Sequence, residues 1–175
     1  MKKLLLFIPV LLSVLACIFA VSNLATPTAE AQATLPSTSE SSSDFTATIT
    51  GALSYPSEFL PPMRVVAFSL TDKKAYFVDT AKDQGQFSLK APAGTYYLVS
   101  YPYEGIAGNT GVVDSYTPGG GPFAGGYTQM VPCGLTANCE DHTLLPITVA
   151  QNQTVTANPG DWYAPEGAFP PMPNP

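Results

Sequence analysis

Past Thr34, no window of 12 residues carries apolar positions at helical spacing. The apolar residues come instead in short runs, several with period two, cut apart by Gly and Pro. In residues 45–53, Phe45, Ala47, Ile49, Gly51 and Leu53 alternate with Thr46, Thr48 and Thr50, which is a half-buried strand with a β-branched polar face. Pro56 and Pro61-Pro62 bracket a loop. Residues 64–70 (RVVAFSL) are apolar on both sides, so they read as an interior strand. Residues 75–78 form a third strand, 79–85 a turn, and 86–89 a fourth strand. Pro92-Ala93-Gly94 is a turn before 95–101 (TYYLVSY), which is rich in β-formers. Strand signals return weakly at 127–131 and more clearly at 143–149 and 154–157. Short strands between turns imply an all-β, antiparallel sandwich.

Two segments interrupt this pattern. Residues 104–126 hold eight glycines in 23 residues, a long loop of the kind that is either functional or disordered. Gly119-Gly120-Gly121 is not a phosphate loop, because no Gly-Lys-Ser/Thr follows. Residues 159–175 read as an extended Pro-rich tail after a sandwich spanning 44–158.

The first 33 residues read as an address. Lys2 and Lys3 precede an apolar run of 18 residues, 4–21, and Ala31-Gln32-Ala33 is an A-x-A cleavage site. Val14-Leu15-Ala16-Cys17 also resembles a lipobox, which would lipidate Cys17, and the run is long enough to span a bilayer if uncleaved. All three readings place the rest of the chain outside the cytoplasm, in the cell envelope or secreted. The second and third add membrane anchoring. Residues 34–43 (TLPSTSESSS) lack apolar periodicity and read as a Ser/Thr-rich linker.

Charge narrows the partners. The net charge is −6, and cleavage after Ala33 removes Lys2, Lys3 and Glu30, leaving 12 acids against 5 bases, or −7. A nucleic-acid partner needs a basic footprint, and none is present. With one histidine in the chain, catalysis that needs two imidazoles is excluded.

Four elements in order now carry a resemblance. Ile49-Thr50-Gly51 opens it, and Pro62, Val65 and Ala67 continue it. Thr80, Gly85 and Phe87 follow, and Pro92, Gly94 and Tyr96 close it. Together they resemble the carboxypeptidase regulatory-like domain, a prealbumin-like module related to transthyretin and to Cna-B modules. The resemblance covers residues 49–101 and implies a Greek-key sandwich of about seven strands. What the relatives need for chemistry is missing here. Self-cross-linking Cna-B modules use a Lys in the first strand, and 45–53 has none. The transthyretin-related hydrolases use several histidines and an Arg, against only His142 and Arg64 here. The zinc site of the carboxypeptidase relatives lies in a separate domain.

The remaining candidates are few. In an exported chain, Cys133 and Cys139 read as a disulfide closing a small loop, adding about 2 kcal/mol. A metal reading would add His142, with Glu140 and Asp141 nearby, but Cys-x5-Cys-x2-His is not a usual zinc spacing, so no metal is expected. His142 is either a base oriented by Asp141 or a polar pin for the disulfide loop. Asp79, Asp83 and Gly85 read as one turn, too sparse in acids for a calcium cage. Trp162 with Tyr163 is either a sugar-stacking platform or a lock on the end of the sandwich, and Tyr96, Tyr97, Tyr101 and Tyr103 suggest outward-facing aromatics. The expectation is a non-catalytic envelope module without a cofactor, whose partner is an envelope protein or a glycan. The alternative is a carbohydrate-binding module that uses exposed aromatics.

Overall fold

The computed structural model describes residues 46–136 and 138–174; the stretches read as an export signal and a Ser/Thr-rich linker, with Cys17, lie outside them. The described residues are all-β. The strands are β1 (Ala47–Ala52), β2 (Met63–Ser69), β3 (Ala75–Thr80), β4 (Gln86–Ala91), β5 (Gly94–Pro102), β6 (Thr110–Val113), β7 (Gly125–Gly126), β8 (Ile147–Val149) and β9 (Thr154–Thr156). One sheet runs β4-β1-β9 and the other β6-β3-β2-β5-β7, with β8 also on β5. Every ladder between them is antiparallel except β1–β9, which is parallel. The regular repeat of strand and turn gives the antiparallel pairs, and β9 joins β1 only after the chain has crossed from one sheet to the other.

The two sheets meet on an apolar core. Ile49 and Leu89 from the first sheet pack with Val65, Tyr96 and Leu98 from the second, all at most 2% exposed. Period two in β1 and β4 reflects one dry face and one wet face. Gly51 stands opposite Phe87 in the β1–β4 ladder, and a side chain there would collide with that ring and with the Ala157 carbonyl. Tyr96 reaches back over Gly94 to donate its hydroxyl to the Pro92 carbonyl at 2.7 Å, closing the turn that starts β5.

The second sheet is buried on its other face too, which is why every residue of β2 is covered. Val66, Phe68, Phe77, Val99 and Tyr101 form a second core there, with Ala124 and Phe169 laid over them. The cover is made from the two segments that read as irregular. The Gly121 amide donates to the Phe169 carbonyl at 2.9 Å, Gly120 to Gly167 at 3.0 Å, and Gly167 back to Gly121 at 3.2 Å. Tyr101 Oη donates to the Pro170 carbonyl at 2.6 Å. The Pro-rich segment therefore packs on the sheet, and the Gly-rich segment contributes β6 and β7. The four tyrosines of this stretch divide: Tyr96 faces the inter-sheet core and Tyr101 the second core, while Tyr97 and Tyr103 are half-buried.

Candidate functional site

Trp162 is 4% exposed and Tyr163 66%, so the two rings do not form a shared platform. The indole Nε1 donates to the Ser54 carbonyl at 2.8 Å. Tyr55 meets the indole edge-on at 5.0 Å, and Phe123 lies over it at 5.3 Å. Gly125 of β7 makes room for it, since a Cβ there would come within 2.5 Å of the indole. An indole enclosed in this way packs as core and offers no face to a sugar.

The single imidazole has a different partner from the one its neighbours in sequence suggest. Asp141 turns away and accepts from the Thr143 amide at 2.9 Å; hydrogen bonding from the Thr143 side chain and then its amide holds the Asp141 pKa below the ordinary value. His142 Nδ1 lies 2.8 Å from Asp161 Oδ2, and Asp161 is fully buried. Thr128 Oγ1 also donates to Oδ2 at 2.6 Å, and the Tyr163 amide donates to Oδ1 at 3.1 Å. Because a carboxylate only accepts, Nδ1 carries the proton and Nε2 remains for a ligand. Asp161 thus ties the loop carrying His142 to the strand segment after β9. Nothing along the sequence marks Asp161, although it stands beside Trp162, because its partners Thr128 and His142 are far from it in the chain.

Cys133 and Cys139 form a disulfide with Cα atoms 6.3 Å apart. No cluster of three or more metal-ligating side chains occurs among the described residues. The acidic turn also resolves differently. Asp79 is not in the turn but in β3, opposite Arg64 of β2. Both side chains are 1% exposed, and Arg64 Nε and Nη2 bind the Asp79 carboxylate at 2.7 and 2.9 Å. Phe77 and Tyr103 lie over the guanidinium, each at 4.0 Å. Burial acts to lower the Arg64 pKa, and the pairing with Asp79 outweighs it, leaving the group above its ordinary value. Asp79 is committed to Arg64, so Asp83 and Gly85 are left with no partner acid for a cation.

The residues that remain available converge on a cleft of about 530 Å³ beside the second core. Lys73 comes from the β2–β3 turn, Tyr97 from β5, Tyr116 from the Gly-rich segment, Glu140 and His142 from the stretch after the disulfide, and Pro170 from the C-terminal cover. Lys73 has a left-handed backbone, φ 62°, which marks a tight hairpin turn, and its Nζ lies 5.7 Å from the centre of the Tyr116 ring. Tyr116 is fixed from behind by Phe68, with ring centres 4.7 Å apart, and donates its hydroxyl to the Ser69 carbonyl at 2.9 Å. The Tyr97 hydroxyl has no hydrogen-bond partner among the described residues, and neither Lys73 nor Glu140 has an ion-pair partner among them. The cleft draws on five separate segments, so no local motif announces it. Of these six, His142, Glu140 and Tyr97 are conspicuous in the sequence, each for a separate reason, and nothing along the chain places them together. Compared with family models, with curated proteins and with solved structures, the chain matches none, so the reading of its function rests on this geometry.

Proposed function

We propose that this chain is a non-catalytic, exported module of the cell envelope that binds an envelope component through the Tyr97–Tyr116 cleft. The cleft itself carries the proposal. Its walls are aromatic and proline rings, with a few polar groups at the margin, which is the usual composition of a ligand pocket. His142 serves this reading as a structural pin, because its Nδ1 is spent on a buried carboxylate that also holds Thr128. The negative charge of the chain argues for a partner other than nucleic acid. The disulfide in a small β domain is consistent with a location outside the cytoplasm. Release by cleavage after Ala33, anchoring by lipid on Cys17 and anchoring by an uncleaved segment all leave this role the same. The kinship with carboxypeptidase regulatory-like domains belongs to the same proposal. It is supported by the way Gly51 meets Phe87 and Tyr96 closes on Pro92.

Co-sedimentation of the full-length exported protein with purified envelopes tests the role. Wild-type protein is expected to pellet with the envelopes, and Tyr97→Ala to lose about tenfold in retention, the scale of one lost aromatic contact with its hydrogen bond. Equal retention of the two, or turnover of an envelope substrate that depends on His142, would overturn the proposal.

A further inference from the structure

We infer that the cleft takes a neutral polyhydroxylated ring, that is, an uncharged carbohydrate; the inference rests on the reading that this cleft is the binding surface. Its volume of about 530 Å³ falls within the range of small-ligand sites. The case lies in the pairing of its polar groups. Lys73 only donates hydrogen bonds and Glu140 only accepts them. The Tyr97 hydroxyl does both, as does Thr143, which also lines the cleft. His142 keeps its Nδ1 on Asp161, which leaves Nε2 as its remaining polar atom.

This mixture suits a ligand whose groups each donate and accept, and a sugar hydroxyl is such a group. The apolar C–H faces of a pyranose match the tyrosine and proline rings. Other ligand chemistries fit less well. A Pro-rich peptide offers carbonyl acceptors but few donors, so Glu140 would be desolvated without a partner. An anion such as phosphate or a uronate meets Glu140 in a chain of net charge −6. A cation meets Lys73. A neutral polyol can use both charged groups without bringing a like charge to either, and its C–H faces also use the rings between them. The site differs from the Trp162–Tyr163 pair, where the indole is covered.

The test is an array of neutral and acidic glycans probed with the full-length protein, followed by calorimetric titration with the best neutral glycan, inorganic phosphate and a Pro-rich peptide. Lys73→Gln and Glu140→Gln change exposed side chains, so the fold is kept while one donor or acceptor is altered. The expected result is binding of neutral glycans that each variant weakens about tenfold and Tyr97→Ala abolishes. A blank array overturns the inference. So does preference for acidic glycans, phosphate or the peptide, or neutral binding that neither Lys73→Gln nor Glu140→Gln weakens. If the array is blank while envelope retention still depends on Tyr97, the sugar assignment fails and the envelope role stands. If a neutral glycan binds in the cleft while retention ignores Tyr97, the envelope role fails alone.

Discussion

Single residues hold the two cores of this domain in register, and two of them lend themselves to measurement. Trp162 closes the inter-sheet core and is bonded to Ser54, so removing its ring leaves a void that its neighbours cannot fill. Trp162→Ala is expected to cost about 3–5 kcal/mol in urea unfolding, and the native indole fluorescence should be blue-shifted and insensitive to iodide. A neutral mutation or a quenchable indole would contradict its buried role. Tyr101 lies in the second core with its hydroxyl on Pro170, and burial pushes the phenol pKa up. A raised folded-state pKa means that the folded chain holds the proton after the unfolded chain has released it. The stability from Tyr101 is therefore complete below the unfolded value of about 10 and is lost as pH rises above it. The denaturant midpoint should fall through that alkaline range, and Tyr101→Phe should fall less steeply there.

At the scale of elements, strands were the legible part of the sequence and their cover was not. β1 and β4 announce themselves by alternation because each has one wet face, and β2 reads as interior because it has none. The third strand extends further than its apolar residues do. Asp79 looks like a turn residue until Arg64 lies opposite, and pairing across a ladder is not visible along a single strand. β7 is only Gly125 and Gly126, with no side chain to reveal a pattern, yet its two residues face opposite cores. A Cβ on Gly125 would strike Trp162, and one on Gly126 would come within 2.5 Å of Phe169. Gly126→Ala should therefore destabilise by about 1–3 kcal/mol through overpacking, with thermal unfolding as the readout; an unchanged midpoint would show that Phe169 is not held there. The candidate site was less legible than the fold. Trp162 and His142 were conspicuous as rare residue types, but Asp161 and the Tyr97–Tyr116 wall depend on segments far apart in sequence.

For the whole molecule, the arrangement of layers connects fold to function. The first sheet covers one face of the second, and the Gly-rich and Pro-rich segments cover the other. That cover is hydrogen-bonded to itself and to Tyr101, and the cleft lies where it meets the β2–β3 turn and the stretch after the disulfide. Segments with little regular structure thus build one wall of the proposed binding cleft, and β5 of the sheet contributes Tyr97 to it. The central claim, that this cleft faces the partner in the envelope, is tested most directly by cross-linking in place. A photoreactive residue is put at Thr143, which is exposed and lines the cleft, and, in a separate protein, at Ser88, which is exposed on β4. After export and irradiation of intact cells, adducts with an envelope component should form from position 143 and not from position 88. Adducts from position 88 alone, equal adducts from both, or none from position 143 would contradict the account.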